Sequence, residues 1–250
     1  MYSKGSFIRS ESGRVAKTDE GWGCNASRKD VRDAVAAALA AQPAWVQTRA
    51  LLKGFILYRL GESLAQRADI PGHDLAAARA VWWAGWAEKL PLIASSVNPV
   101  SSHLVVSTIE PVGVVGAPVS GSTAEDVCRN VVDALSAALC AGCTITIMVP
   151  TKFADLIQSL AEVLHVSDIP AGCVNLLTSD DIDALSTLFS HGDVALSETG
   201  HLHAWGMDRP SAVSFGDSHL QRNPAGLVED SPRRALSMCD TKTVWHPIHI

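Results

Sequence analysis

The most constraining feature of this 250-residue chain is a stretch of alternating strand and helix periodicity between Pro111 and Thr178. Short apolar runs over Val112–Ala117, Thr144–Val149 and Val174–Thr178 have the length and composition of buried strands. Longer amphipathic segments with apolar residues at helical spacing separate these runs. Strands that alternate with helices predict a parallel, right-handed α/β sheet of the Rossmann-like kind.

Three amphipathic helices are predicted before this stretch, and together they form an N-terminal helical layer. Ser27 begins the first helix as an N-cap paired with Asp30, and Pro43 ends it. The second helix spans residues 48–68 and the third spans residues 74–90. The apolar residues predicted to face the core are Leu51, Leu52, Phe55, Ile56 and Leu60 in the second helix and Leu75, Ala78, Trp82 and Trp86 in the third.

Local signals predict the remaining elements and the domain boundaries. Leu104–Ile109 is predicted as a strand, and Glu110-Pro111 as a hairpin or a sharp bend before the next strand. Ser122 and Glu125 have the spacing of a capping box at the start of the following helix. We expect residues 1–26 to form an arm, residues 27–207 the α/β domain, residues 208–240 an irregular segment and residues 241–250 a docked terminal strand.

Composition narrows the class of protein. A net charge of −6 and a pI near 5.8 argue against non-specific binding to nucleic acid or to an anionic membrane. No apolar run reaches the roughly 18 residues of a membrane span, and the first residues lack the apolar core of a secretory signal. The six cysteines are scattered without a disulfide framework. We therefore expect a globular cytoplasmic protein.

Several motifs together resemble the aldehyde dehydrogenase superfamily. They are SRKDVRDAVAAALAAQPAWVQTRALLKGFILYRLGESLAQRA from Ser27, VWWAGWAEK from Val81, PVGVVGAPVS from Pro111 and AGCVNLLT from Ala171. The resemblance covers roughly residues 6–208 and implies a truncated aldehyde dehydrogenase-like fold with a hairpin oligomerisation element at Leu104–Ala117. The motifs FIRSESGR, HAWG and KTVWHPI are similar to those of the short, non-catalytic second modules of two-module aldehyde dehydrogenases.

The resemblance also identifies positions at which this chain departs from the family. The Pro-Trp-Asn segment, whose Asn would stabilise an oxyanion, is replaced by Pro118–Ser122. The turn that would open the pyrophosphate-facing helix falls at His203–Met207, and the family's glutamate-base and cysteine-nucleophile motifs are absent. The Lys-Pro-Ser-Glu segment that would hold the adenine ribose is also replaced. Its four positions, the candidate cofactor-binding residues, are Val149, Pro150, Thr151 and Lys152.

The thiols give one candidate nucleophile. Cys239 is the only cysteine beyond Cys173, towards the end of the chain where the family's nucleophile would be sought, but its neighbour Asp240 disfavours a thiolate. Cys140 and Cys143 form a C-x-x-C pair at the C-terminal end of a predicted helix, where the helix dipole also disfavours thiolates. A helix exit into a buried strand is the favoured interpretation of that pair. No catalytic residue is predicted.

Three other groups of residues have structural as well as functional interpretations. Four imidazoles could bind a transition metal if the chain ends converge, but no carboxylate partner supports this, and no metal site is predicted. The glycines of Gly113–Gly116 are predicted to allow close packing of a strand rather than to hold phosphate. The tryptophans are predicted as core anchors, with Trp83 at an edge. The imidazoles are those of His201, His203, His246 and His249.

Three functions follow as hypotheses. The first is a non-catalytic protein that forms a homo-oligomer or stabilises a full-length aldehyde dehydrogenase subunit, with no confident cofactor. The alternative is NAD(P)-dependent oxidation of an aldehyde to a carboxylic acid, alone or as part of a split enzyme, with NAD or NADP as acceptor. The third is a binder of a nucleotide or small ligand without turnover. Neither nucleic acid nor membrane is an expected partner.

Overall fold

The computed structural model describes residues 1–18, 21–100, 103–198, 220–222 and 231–247. The helices within these ranges are α1 (Arg28–Gln47), α2 (Ala50–Ala65), α3 (His73–Trp86), α4 (Lys89–Ala94), α5 (Ala124–Ala141), α6 (Ala154–Val166), α7 (Ile182–Ser190) and α8 (Arg233–Leu236). The strands are β1 (Tyr2–Ser3), β2 (Ser6–Phe7), β3 (Val15–Lys17), β4 (Trp22–Cys24), β5 (Ser96–Val100), β6 (His103–Pro111), β7 (Val114–Pro118), β8 (Thr144–Val149), β9 (Val174–Thr178), β10 (Val194–Glu198), β11 (Leu220–Arg222) and β12 (Cys239–Pro247). A 3-10 turn, Thr151–Phe153, joins β8 to α6.

The main sheet has seven strands in the order β11-β10-β7-β8-β9-β1-β2. The strands from β11 to β9 run parallel, which confirms the parallel α/β sheet predicted from the alternating pattern. Strand β1 pairs antiparallel with β9, and β2 pairs antiparallel with β1. The first seven residues therefore extend one edge of the main sheet.

Helices cover both faces of this sheet. Helices α5 and α6 pack on one face with α2 and α3 outside them, whereas α1 and α7 pack on the other face. Each face has its own apolar core. The larger core includes Leu60 and Leu135, and the smaller one includes Val35 and Leu188. Helices α2 and α3 form the predicted helical layer, whereas α1 lies on the opposite side of the sheet from them.

A second, antiparallel sheet has the order β12-β6-β5. Strand β12 pairs with β6 over its whole nine-residue length. Between β6 and β7 the backbone of Gly113 has a φ of +119°, which favours glycine, and there the chain passes from the second sheet to the main one. Strand β6 pairs with β5 and not with β7. Of the two alternatives predicted at Glu110-Pro111, the bend is therefore correct.

The two predicted capping boxes have different outcomes. Ser27 and Asp30 form the predicted box at α1. At α5 the box consists of Thr123 and Asp126, so the prediction of Ser122 was wrong by one residue. Thr123 has the extended backbone of an N-cap (φ −122°, ψ 165°), and its side chain accepts a hydrogen bond from the amide of Asp126.

Pro43 does not end α1, contrary to the prediction. It lies inside the helix, which continues to Gln47. The carbonyl of Leu39 loses its helical donor as a result, but this part of the helix is exposed to water. Tertiary contacts hold the last turn in place. The Trp45 indole donates to the Leu139 carbonyl at 3.2 Å, and the Gln42 amide binds across to the turn between α5 and β8.

The predicted inward face of α2 was wrong for Leu51, Leu52 and Phe55, which are 50%, 51% and 61% exposed. Ile56 and Leu60 are buried as predicted. Glycine decides the orientation, because the side of α2 that carries Gly61 lies against α3. A Cβ atom added at Gly61 would lie 2.7 Å from the Val81 side chain and 3.1 Å from the Ala77 carbonyl. Only a residue without a side chain permits this approach.

The tryptophans of α3 are core anchors, but the prediction placed Trp83 wrongly. Trp83 is fully buried, whereas Trp82 and Trp86 lie at the margin of the core. The Trp83 indole donates to Asp133 of α5 at 2.7 Å, and this bond fixes the orientation of α3. The inward face is completed by Ala76 and Ala80, while Leu75 and Ala78, which were predicted to face the core, are exposed.

Candidate functional site

The candidate functional site is the edge of the main sheet at which β7, β8 and β9 end. From β7 the chain passes through α5 to β8, while β10, which is reached through α7 on the opposite face, lies on the other side of β7. In open α/β sheets, ligands bind outside the carboxyl ends of the strands at such a switch point. The residues that follow β10, including the predicted turn at 203–207, lie outside the described residues.

The loop after β7 is folded back onto α5. The Val119 amide donates to the Met148 carbonyl at 2.8 Å, and the Asn130 side chain donates to the Ser120 carbonyl at 2.9 Å. A Cβ atom at Gly121 would lie 2.5 Å from the Cβ of Asp126, so the loop backbone packs closely against the first turn of the helix. No side-chain amide is present in residues 118–122 to bind an oxyanion.

The four candidate cofactor-binding residues lie at the end of β8, the next strand, and at the start of the 3-10 turn that follows it. Val149, Pro150 and Thr151 are buried, and only Lys152 is exposed. Both polar groups of Thr151 are used internally: its amide donates to Asp180 at 2.9 Å and its hydroxyl donates to the same carboxylate. The Lys152 ammonium lies 4.7 Å from the centre of the Phe153 ring.

These four residues do not fit the ribose of a dinucleotide. A ribose presents neighbouring hydroxyl groups, and it needs accessible acceptors and donors to hold them. Here three of the four side chains are enclosed and the fourth supplies one flexible cation. The mismatch has a local cause, because the carboxylate of Asp180 already binds the backbone and hydroxyl of Thr151.

The hairpin formed by β3 and β4 covers the ends of β8 and β9, which the sequence did not predict. A Cβ atom at Gly23 would lie 2.5 Å from the Cβ of Ala154, so the hairpin backbone packs directly on the start of α6. The Thr178 hydroxyl donates to the Cys24 carbonyl at 2.6 Å. The Ser179 hydroxyl bonds to the Asn25 side-chain oxygen and to the Ala26 carbonyl, the next two residues of the arm. The glycine at position 23 was the only local signal of this close packing.

A cleft of about 600 Å³ remains beside Lys152, between the first turns of α5 and α6. Asp69 and Asp155 also line it, so carboxylates and one ammonium are present together. At the start of α5 the amides of Thr123 and Asp126 and the Thr123 hydroxyl are engaged in the capping box. The cleft is therefore polar, without a charge of one sign that would select a ligand.

The structure places Cys239 far from this edge. It is the first residue of β12, it is 8% exposed, and its thiol donates to the Ala235 and Ala141 carbonyls at 3.5 and 3.8 Å. The preceding residue, Met238, accepts from the Val112 amide just before β7 begins. Cys239 thus lies near the amino ends of the parallel strands. Strand β8, which is about 20 Å long, separates Cys239 from the carboxyl ends of the parallel strands.

The C-x-x-C pair lies at a helix exit, as predicted. Helix α5 ends at Ala141, Gly142 takes a left-handed conformation, and Cys143 leads into β8. Burial raises the pKa of the Cys143 thiol to about 12 and also raises the pKa of Cys140. Burial raises the pKa of Cys128 and of Cys173 to about 12 as well. These thiols are therefore protonated at neutral pH and are poor nucleophiles.

The histidines proposed as metal ligands are not brought together within the described residues. His246 lies on the exposed strand β12, and His201, His203 and His249 lie outside the described residues. Over the ranges that the structure covers, no group of three or more His, Cys, Asp or Glu side chains is arranged to hold a metal ion.

Comparison with known proteins agrees with the topology. Residues 72–202, just over half of the chain, match the model of the aldehyde dehydrogenase family. The chain belongs to the aldehyde dehydrogenase family. The structure of the Bacillus cereus aldehyde dehydrogenase in complex with NAD+ superposes with a TM-score of 0.74 at 21% identity, over 85% of this chain and 48% of the enzyme. No curated protein matches the chain.

Other aldehyde dehydrogenases give the same result. The putative enzyme from Burkholderia cenocepacia superposes with a TM-score of 0.72 at 21% identity. The match covers 79% of this chain and 46% of the Burkholderia chain. The NAD-dependent enzyme from Sinorhizobium meliloti superposes with a TM-score of 0.71 at 22% identity. The match covers 78% of this chain and 44% of the Sinorhizobium chain. This chain thus spans less than half the length of these family members. None of its described helices is long and apolar enough to cross a bilayer.

Proposed function

We propose that this member of the aldehyde dehydrogenase family is non-catalytic and acts through assembly, either with copies of itself or as a stabilising partner of a catalytic aldehyde dehydrogenase. The observation that carries the proposal is the antiparallel sheet β12-β6-β5. Strand β12 is exposed along nearly its whole length and lies at the edge of that sheet. A small sheet with exposed strands gains stability when another chain adds to it.

The placement of the reactive groups supports the non-catalytic part of the proposal. The candidate nucleophile Cys239 and the carboxyl edge of the main sheet lie at opposite ends of the parallel strands. Thr151 is engaged by Asp180, and the loop at 118–122 has no side-chain amide. We also infer that the chain is related to the short second modules of two-module aldehyde dehydrogenases, on the basis of the motifs FIRSESGR, HAWG and KTVWHPI.

The test of catalysis is NADH or NADPH formation with short aldehydes, with both NAD and NADP as acceptor. We expect the wild-type chain to form no more NADH or NADPH than the Cys239→Ser variant. Cys24→Ser is the matched control, because Cys24 is the partly exposed thiol of the N-terminal hairpin. Turnover that survives in the control and disappears in Cys239→Ser would establish the alternative, NAD(P)-dependent aldehyde oxidation.

The test of assembly is light scattering of the purified chain, followed by co-expression with a full-length aldehyde dehydrogenase from the same genome. We expect either a homo-oligomer or a complex that raises the melting temperature of the catalytic enzyme. A chain that remains monomeric and also leaves the enzyme's melting temperature unchanged would contradict the proposed function.

A further inference from the structure

Two cysteines that are distant in the sequence lie side by side where the second sheet meets the main sheet. The Cys143 thiol donates to the carbonyl of Met238, the residue before Cys239, at 3.3 Å. The Cys239 thiol in turn donates to the carbonyl of Ala141, two residues before Cys143, at 3.8 Å. Each thiol therefore contacts the backbone beside the other cysteine. Both cysteines belong to the larger core, and both are reduced in the structure.

These contacts bring the two side chains near the geometry of a disulfide. In a planar peptide the carbonyl oxygen lies about 3 Å from the next Cα, so the Cys143 sulfur lies within about 6 Å of the Cys239 Cα. In a disulfide the corresponding distance is about 4 Å. A rotation of the two side chains can supply the remaining difference of about 2 Å.

Two neighbouring residues at the start of β7, Val112 and Gly113, hold both cysteines in place. The Val112 amide donates to the Met238 carbonyl at 3.0 Å, and the Gly113 carbonyl accepts from the Thr144 amide at 3.3 Å. Met238 directly precedes one cysteine of the pair, and Thr144 directly follows the other. The backbone on each side of the pair is therefore fixed to the same short segment.

We propose that Cys143 and Cys239 form a disulfide when the thiol–disulfide balance around the protein becomes oxidising, and that this bond fastens α8 and β12 to the parallel sheet. In the reduced protein, the ion pair of Arg234 with Asp133 holds α8, and the ladder with β6 holds β12. The disulfide adds a covalent link that closes a loop of roughly 100 residues. The inference is independent of the proposed function, because a chain that never assembles can still form the bond.

A low-molecular-weight disulfide such as oxidised glutathione is a sufficient oxidant. Cys239 reacts first, because it is 8% exposed and Cys143 is fully buried. The Cys239 thiolate attacks one sulfur of the glutathione disulfide and releases one glutathione. The Cys143 thiolate then attacks the Cys239 sulfur of this mixed disulfide and releases the second glutathione. The two protein thiols are oxidised, the glutathione disulfide is reduced, and the two thiol protons pass to the two glutathione molecules.

Burial makes this exchange slow. It raises the pKa of Cys143 to about 12, so the thiol is a weak nucleophile while α8 and β12 are docked. The backbone amides of Gly113 and Val112 and the Lys53 ammonium act in the opposite sense and favour the thiolate. Lys53 stands over the turn before Cys143, since its Nζ atom would lie 3.1 Å from a Cβ atom added at Gly142. Exchange therefore requires a brief separation of α8 and β12 from α5, and the bond is slow to form and slow to reduce.

Peptide mapping by mass spectrometry identifies the bond in the wild-type chain. The reduced protein is incubated with a series of ratios of reduced to oxidised glutathione, alkylated and digested. We expect the loss of two thiols and one peptide pair that joins Cys143 to Cys239 within a single chain. A pair that joins Cys140 to either cysteine, a mixed disulfide that reacts no further, or no loss of thiols after prolonged incubation would overturn the proposal.

Hydrogen exchange of residues 233–247 tests what the bond does. Oxidation of the wild-type chain should slow amide exchange in α8 and at the start of β12 by about tenfold or more, and it should raise the melting temperature by roughly 10 °C. Exchange that stays unchanged after the bond has formed would overturn the fastening of α8 and β12.

Two variants assign these effects to the pair. Cys143→Ser should show neither effect of oxidation. Cys140→Ser is the matched control, because it removes another buried thiol of the same core, and it should respond like the wild type. Melting in reducing buffer checks that both variants fold, and the comparison of reduced and oxidised wild type decides the proposal if Cys143→Ser does not. An equal response of the wild type and a folded Cys143→Ser variant would overturn it.

Discussion

At the scale of single residues, Lys53 is a charged side chain that is buried. It belongs to α2 and lies where α2, α5 and the second sheet meet. It is 8% exposed. Its ammonium lies 5.5 Å from the centre of the Trp45 ring and 3.5 Å from the Val46 carbonyl. Burial lowers the pKa of Lys53 because water no longer solvates the charge, and nearby thiols offset this only in part.

The Lys53→Met variant should therefore be more stable than the wild type, by about 1 kcal/mol at pH 7. The lowered pKa means that the unfolded chain binds more protons than the folded chain between that pKa and about 10.4. The wild type should gain stability relative to the variant as the pH rises toward 10. Urea unfolding at pH 7 and pH 9.5 measures both effects. Lys17→Met, at an exposed lysine of β3, is the control and should show neither effect.

At the scale of secondary-structure elements, helix α5 shows how a sequence pattern identifies an element without fixing its boundary. Ser122 and Thr123 are adjacent hydroxyl residues, and Glu125 and Asp126 are adjacent acids at the same spacing. Both pairs satisfy the pattern of a capping box. The path of the chain from β7 decides between them, because Gly121 packs against Asp126 and brings Thr123 to the N-cap position.

Thr123→Ala should lower the free energy of unfolding by about 1 kcal/mol, the usual effect of removing an N-cap side chain. Ser122→Ala should change it by no more than a few tenths. Urea denaturation of the two single variants measures the difference. Equal losses in both variants would contradict Thr123 as the N-cap of α5.

At the scale of the whole molecule, Asp133 joins three elements that are distant in the sequence. Its carboxylate accepts from Arg79 of α3 at 2.8 Å, from the Trp83 indole at 2.7 Å, and from Arg234 of α8. Helix α8 leads directly into β12. Burial alone would raise the pKa of Asp133, but Arg234, Arg79 and the indole together lower it. The carboxylate is thus ionised in the folded protein and fixes the start of the exposed strand.

Asp133→Asn should destabilise the fold by about 3 to 5 kcal/mol, because two largely buried guanidinium groups lose their carboxylate. The depressed pKa means that this contribution is present above the unfolded value of about 3.9 and is lost as the pH falls through the lower folded pKa. The stabilities of variant and wild type should therefore approach each other in acid. Asp168→Asn, which breaks only the exposed pair with Arg59, should cost roughly 1 kcal/mol or less. Chemical denaturation from pH 7 down to pH 3 tests both.

The sequence by itself determined the α/β class, the strands β8 and β9 and the cap at Ser27, because each depends on a short local pattern of apolar and capping residues. Only the tertiary structure decided which face of α2 is buried, that Pro43 stays inside a helix, and that Cys239 lies at the opposite end of the sheet from Lys152. These outcomes depend on contacts between residues far apart in the chain. The free energy of such contacts exceeds local preferences, and no local periodicity contains it.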